Sequence, residues 1–241
     1  MKGLEIKGFV ETSLCDWDGS ISSVIFLPGC NFRCPFCQNG DLVLGYRNLP
    51  TVGFEGIARY LSTHKEWLDG VVITGGEPTI WDDLGDLAKG VKDLGLGVKL
   101  DTNGSRPEAI RGLIDSGLVD YLAMDVKAPL DERYCEAAGA TVSLAKLRES
   151  IGIVSGFGDA YEFRTTLVPG LVGEEEMDLI GEAVEGARRL VLQRFVPENS
   201  LDKRFKRAVP YDDSFVARLL EIAGRHVESC FYRGKIGVGL S

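Results

Sequence analysis

The chain has 241 residues, 44% of them hydrophobic and 26% charged, with a formal charge of −9 at pH 7. That length suits one domain with a sizeable core, and the acidic balance argues against nucleic acid or an anionic membrane as the main partner. No basic-then-apolar leader and no run near the ~18 apolar residues of a membrane span is present, so the expected compartment is the cytoplasm, where clustered cysteines serve better as metal ligands than as disulfides.

Residues 2–14 read as an edge strand or lead-in, and Cys15-Asp16-Trp17-Asp18-Gly19-Ser20 has turn chemistry. A strand at 22–27 runs into Gly29-Cys30-Asn31-Phe32-Arg33-Cys34-Pro35-Phe36-Cys37-Gln38-Asn39, a C-x3-C-x2-C loop with three of the chain's six cysteines. A helix over 53–65 carries Ile57, Tyr60 and Leu61 at helical spacing and leads to Gly70-Val71-Val72-Ile73-Thr74-Gly75-Gly76. A helix over 82–94 lines up Leu84, Leu87, Ala88, Val91 and Leu94. There follow strand 97–100, helix 107–116, strand 121–124, a helix within 141–154, strand 161–168, helix 174–187, strand 190–195, helix 212–224 and a last strand, 228–232. Lys203-Arg204-Phe205-Lys206-Arg207 is a local basic patch, read as a solvated loop or helix end.

Strands alternating with helices of about 10–15 residues predict right-handed βαβ units and a parallel sheet. Six or seven units suit a partial or complete β/α barrel, with an open doubly wound sheet as the alternative. One domain is expected over 1–241, its core at about 20–200 and a C-terminal completion over 201–241.

Each apolar strand ends in a polar or glycine-containing cluster: the cysteines, then Thr74-Gly75-Gly76-Glu77-Pro78, Asp101-Thr102-Asn103-Gly104, Asp125-Val126-Lys127, Arg164-Thr165-Thr166 and Gln193-Arg194-Phe195. In parallel β/α folds the strand C-termini share one face, where sites are built. Structural zinc takes four ligands, commonly from paired C-x2-C knuckles. Here Cys30, Cys34 and Cys37 stand together without a fourth ligand nearby, while Cys15, Cys135 and Cys230 are isolated and His64 and His226 have no ligand-type sequence neighbours. Three cysteines on a four-iron cluster leave one iron open, and zinc recruiting Cys15 is the alternative. Paired glycines at a strand end let a ligand approach the backbone, or simply make a tight turn. Charged Asp101, Asp125, Lys127 and Arg164 beside apolar strands should pair with each other or with a ligand carrying an amine and a carboxylate.

C-x3-C-x2-C followed about forty residues later by Gly-Gly-Glu-Pro resembles the radical S-adenosylmethionine (SAM) superfamily. Within it the chain is similar to the glycyl-radical-enzyme activases, nearest those of anaerobic ribonucleoside-triphosphate reductase and next those of pyruvate formate-lyase. The residues behind this are Lys7-Gly8-Phe9, Asp16-Trp17-Asp18-Gly19, Phe26-Leu27-Pro28-Gly29-Cys30, Cys37-Gln38-Asn39, Asp101-Thr102-Asn103-Gly104, Asp125-Val126-Lys127 and Val168-Pro169-Gly170. The resemblance implies a partial (β/α)6 TIM-like barrel and a [4Fe-4S] cluster ligated by Cys30, Cys34 and Cys37, with SAM on the fourth iron. It implies Phe36 against the adenine, Gln38 beside the SAM site, and Gly75, Gly76 and Glu77 receiving the amino group. Asn103 belongs to the same cofactor set, Asp101 and Asp125 match carboxylates that help hold a monovalent cation, and Lys127 and Arg164 match positions near the SAM carboxylate. The implied partners are a glycyl-radical enzyme, whose loop Asp16 or Asp18 is placed to contact, and a one-electron donor such as flavodoxin or ferredoxin. Gln38 stands where His is frequent, Val196 where a ribose-contacting His occurs, and Asp18 where the turn usually has Pro. Other readings are a radical SAM enzyme acting on a small molecule, peptide or RNA, and an iron–sulfur or zinc binding module without catalysis.

Overall fold

The computed structural model describes residues 3–234. The strands are β1 (Gly8–Ser13), β2 (Ser22–Leu27), β3 (Gly70–Gly75), β4 (Gly97–Thr102), β5 (Tyr121–Asp125), β6 (Tyr161–Leu167), β7 (Leu190–Arg194) and β8 (Cys230–Arg233). The helices are α1 (Gly40–Leu44), α2 (Phe54–His64), α3 (Leu84–Lys92), α4 (Pro107–Asp115), α5 (Arg133–Ala138), α6 (Leu144–Ser155), α7 (Glu174–Ala183) and α8 (Asp213–Ala223). The strands make one sheet in chain order, β1 to β8. A doubly wound sheet reverses its order at a switch point, so this succession belongs to the β/α-barrel type of winding.

The described residues divide between two compact units, bounded in the chain as Met1–Asn31 with Asn39–Ala123 and Phe32–Gln38 with Met124–Ser241. In the first, β1 pairs antiparallel with β2, and β2, β3 and β4 run parallel, with Leu27 level with Gly75 and Ile73 with Leu100. The loops after these strands therefore leave from one edge. Val24, Val71, Val72, Val98 and Leu100 are buried, as near-continuous apolar strands covered by helices require. Helix α3 turns Leu84, Leu87, Ala88 and Val91 to the core. It ends before Leu94 because Gly95 takes a left-handed φ of 83° that breaks the helical run. Tyr60 of α2 packs edge-on to Phe9 of β1 at 5.5 Å, which holds the helix against the edge strand.

In the second unit β6, β7 and β8 are parallel, with Leu167 level with Arg194 and Leu192 with Tyr232. Ser143 and Asp212 cap α6 and α8 by accepting from the backbone N–H of Lys146 and Phe215. Helix α7 stops at Ala183, short of the expected 187, with Gly186 at φ 72° just beyond. The short helices α1 and α5 are additions to the expected elements; neither is long enough to show a periodic face in sequence. Residues 235–241 of the expected 201–241 completion lie outside the described residues.

Candidate functional site

In the first unit the end of β3 is welded to the loop that begins the cysteine motif. The Gly76 N–H donates to the Leu27 carbonyl and the Glu77 N–H to the Gly29 carbonyl, each at 2.8 Å. A Cβ on Gly75 would lie 2.3 Å from the Leu27 carbonyl oxygen, and one on Gly76 1.7 Å from that of Gly29. Gly75 also has φ 122°, open to glycine alone at no steric cost. The close approach the paired glycines permit is thus made by the protein's own backbone.

The Glu77 side chain is 1% exposed. Its Oε1 accepts from the Thr79 N–H (3.1 Å), the Thr79 hydroxyl (2.5 Å) and the Thr102 hydroxyl (2.7 Å), and its Oε2 accepts from the Asn103 N–H at 2.6 Å. Burial pushes this carboxyl above its ordinary range, while the hydrogen bonds oppose the rise. Each oxygen faces one backbone N–H, which can only donate, and the carboxylate can accept all four bonds. Glu77 in turn positions Asn103, whose Nδ2 donates to Asn31 Oδ1 at 3.0 Å and approaches Cys30 Sγ at 3.8 Å. Asn39 Nδ2 donates to the Gly75 carbonyl at 2.7 Å, and the Asn31 amide donates to the Ser105 hydroxyl at 2.7 Å.

Lys99 was not among the expected site residues. It is 1% exposed, its ammonium donates to the Asp16 carbonyl, and it lies 3.6 Å from the Asp101 carboxylate and 5.6 Å from the Tyr121 ring centre. Its signal in sequence is the i, i+2 spacing from Asp101, which puts both charges on one face of β4. Asp16 is half-buried and its carboxylate accepts from the Ser13 hydroxyl, whereas Asp18 is exposed.

In the second unit Asp125, Lys127 and Arg164 form one ionic group. Arg164 Nε donates to Asp125 Oδ1 at 2.8 Å and Lys127 Nζ to Oδ2 at 3.1 Å, and the Val126 N–H ties β5's extension to the Arg164 carbonyl at 2.8 Å. Burial alone would raise the Asp125 pKa, but the two cations outweigh it and hold the carboxyl at about 2. Burial disfavours the Lys127 ammonium, and Asp125 overrides that to raise its pKa. The expectation that these charges pair with one another holds for this set.

The segment Phe32–Gln38 belongs to this unit. Its Arg33 N–H donates to the Ala138 carbonyl, the Asp202 N–H donates to the Pro35 carbonyl, both at 2.8 Å, and the Cys37 N–H closes a turn onto the Cys34 carbonyl at 3.0 Å. Gly139, at φ 58°, lies so close to Arg33 that a Cβ would stand 2.2 Å from its carbonyl oxygen. Cys34 and Phe36 are buried, Cys37 is half-buried and Gln38 is exposed. Burial pushes the Cys34 thiol up to about 11, against the lowering effect of the Lys127 ammonium. Tyr134 is fully buried, accepting from the Lys127 N–H at 3.3 Å and donating to the Asp125 carbonyl at 3.4 Å. The anchors Ala138, Gly139 and Asp202 carry no motif, and only the fold shows them.

His226 gains in space what the sequence does not place beside it. Without ligand-type neighbours along the chain, it meets two carboxylates in space, Asp178 Oδ1 at 2.8 Å from Nε2 and Glu185 Oε2 at 2.6 Å from Nδ1. Hydrogen bonding to Asp178, then to Glu185, raises its pKa. It packs against Gly181 of α7, where a Cβ would lie 2.3 Å from the ring.

The family model of the Radical SAM superfamily matches residues 24–183. A Methanocaldococcus jannaschii protein named "Putative glycyl-radical enzyme activating enzyme" is 33% identical over 97% of each chain. The 7-carboxy-7-deazaguanine synthase of Hyperthermus butylicus is 38% identical over 39% of each chain. Among solved structures, Streptococcus suis SuiB bound to its precursor peptide SuiA superposes with TM-score 0.65 at 18% identity, over 88% of this chain and 48% of that one. SuiB bound to S-adenosylmethionine superposes with TM-score 0.60 at 18% identity, over 88% and 52%. The chain thus spans about half the length of these structures, and the likeness is one of fold.

Proposed function

The chain belongs to the radical SAM superfamily, whose members use a [4Fe-4S] cluster and SAM, and from that premise we propose that it activates a glycyl-radical enzyme, with anaerobic ribonucleoside-triphosphate reductase as the partner. The match to an activating enzyme over 97% of both chains carries the reading. When bound, the cluster and SAM supply one-electron cleavage of the sulfonium, giving methionine and a 5′-deoxyadenosyl radical that takes a hydrogen atom from a glycine Cα.

In this proposal Cys30, Cys34 and Cys37 hold the cluster. Among the described residues no three His, Cys, Asp or Glu side chains are grouped as a metal site. The chemistry of the donors supports the reading, with three thiols on one short loop, an amide N–H directed at Cys30 Sγ and an ammonium that favours the Cys34 thiolate. Phe36 lies against the adenine and Gln38 borders the SAM site. Gly75 and Gly76 offer backbone to the SAM amine, and Glu77, with its carboxylate taken up by Thr79, Thr102 and Asn103, fixes their conformation. Lys127 and Arg164 receive the SAM carboxylate, and Asp125 and Asp101 bear on a monovalent cation. Exposed Asp18, with Asp16 behind it, meets the partner's glycine loop. One radical SAM domain over 1–241 is part of this reading, supported by a family match over 24–183 that includes residues of both compact units.

Anaerobic reconstitution with iron, sulfide, dithionite and SAM tests the reading. The expected products are 5′-deoxyadenosine and, with the reductase added, its glycyl-radical EPR doublet. Cleavage without a doublet on the reductase but with one on pyruvate formate-lyase moves the partner assignment. Cleavage with neither favours a small-molecule substrate, the reading that the local likeness to the deazaguanine synthase supports. No cleavage by a fully loaded cluster refutes the enzyme reading.

A further inference from the structure

The basic segment at 203–207 stands out against a chain of net charge −9. It follows Asp202, whose N–H is bonded to the Pro35 carbonyl in the cysteine loop, and continues as a 3-10 turn over Phe205–Arg207. Phe205 anchors that turn, packing edge-on against buried Phe195 at 6.4 Å. Lys203, Arg204, Lys206 and Arg207 are exposed. Arg204 is neutralised locally, since it grips the Asp202 carboxylate at 2.7 and 2.9 Å and feels the nearby Glu136. Among the described residues, Lys203, Lys206 and Arg207 have no ion-pair partner. Three uncompensated cations thus sit on a segment anchored by a backbone hydrogen bond to the residue after Cys34.

We propose that Lys203, Lys206 and Arg207 form the docking surface for an acidic one-electron donor protein of the flavodoxin class. The inference rests on the radical SAM reading, which requires an electron to enter at the cysteine loop. The −9 overall charge repels an acidic protein at long range, but at physiological ionic strength fields fade over about 8 Å, so the local patch decides where such a partner settles. An electron donor needs only surface proximity to the loop, whereas the protein substrate must thread a glycine to the SAM site. An exposed patch tied to that loop through the Asp202 N–H therefore suits the donor better. In the transfer the donor's flavin hydroquinone gives up one electron and one proton, becoming the semiquinone; the electron enters at the cluster and the proton goes to solvent.

The test uses the loaded enzyme, oxidised or reduced flavodoxin as probe, and the triple variant Lys203→Glu/Lys206→Glu/Arg207→Glu. By calorimetry, flavodoxin affinity for the unmodified enzyme should weaken about tenfold between about 50 and 300 mM NaCl. The variant should bind about tenfold more weakly at low salt and lose that salt dependence. SAM cleavage driven by flavodoxin hydroquinone should fall about tenfold in the variant, while cleavage driven by reduced methyl viologen, a small cation that needs no docking, stays unchanged. Unchanged flavodoxin binding overturns the proposal, and so does an equal loss with both reductants, which would mean a damaged cysteine loop. A loss confined to glycyl-radical formation would assign the surface to the protein substrate and overturn it too. Failure of viologen-driven cleavage in the unmodified enzyme would refute the enzymatic reading instead, with flavodoxin binding still measurable.

Discussion

Glu77→Gln tests the buried network that joins the end of β3 to the cysteine loop. The carboxylate accepts four hydrogen bonds, two of them from backbone N–H groups that can only donate, Thr79 on Oε1 and Asn103 on Oε2. The amide has one acceptor oxygen, so whichever way it turns, its NH2 faces one of those N–H groups. The Thr79 and Thr102 hydroxyls can rotate to accept and soften the change, but the backbone N–H cannot. One buried N–H left without a partner costs about 1–3 kcal/mol. A loss of about 2 kcal/mol in a chain of this length lowers Tm by roughly 4–8 °C. The assay is thermal or urea unfolding of the cluster-free protein under anaerobic reducing conditions near neutral pH. Combined with Thr102→Val, the losses should fall short of additive, because both variants break the same network. Burial also raises the Glu77 pKa, so the fold takes up a proton more readily than the unfolded chain does. Stability therefore declines as pH rises from the ordinary carboxyl value through the raised one, and the Gln variant should lack that slope. An unchanged midpoint, or full additivity with Thr102→Val, would refute the network as described.

Other substitutions probe the second unit. Asp125→Asn leaves Arg164 and Lys127 without their shared counter-charge; breaking such a buried pair costs about 3 kcal/mol, reduced to about 2 because the Asp125 side chain keeps some solvent contact. Since Asp125 is held at about 2 against an ordinary 3.8, its contribution is complete above 3.8 and lost as pH falls toward 2; acid titration of the variant should show no such loss. Gly139→Asn keeps a residue that tolerates φ 58° yet places a Cβ against the Arg33 carbonyl, so stability should drop by about 2 kcal/mol and iron uptake on reconstitution should fall; normal iron content would show that the contact does not position the cysteine loop. His226, raised above 6.5 by Asp178 and Glu185, contributes stability that is complete below 6.5 and lost as pH rises through its folded value. With both carboxylates largely exposed, that is worth up to about 1 kcal/mol, so the gap between the unmodified chain and His226→Gln should close on going from mildly acidic to alkaline pH, and a constant gap would contradict the pairing.

The sequence alone determined the strand and helix succession, the parallel winding and the cysteine loop, because each depends on local periodicity or on spacing along the chain. Val24–Leu27 running into C-x3-C-x2-C, and Leu84, Leu87, Ala88 and Val91 on one helical face, can be read without a partner. The short helices α1 and α5 escape such reading, having too few turns for a period. Only the tertiary structure decided what the charged and glycine residues do. It turned Glu77 to Thr79, Thr102 and Asn103, set Gly76 against Gly29 and joined Asp125 to Arg164 across 39 positions of chain. It also brought Asp178 and Glu185 to His226 and anchored a basic segment to Pro35 through the Asp202 N–H. A hydrogen bond or ion pair depends on distance in space, and sequence separation carries almost none of that information; the polar network had to wait for the fold that assembles it.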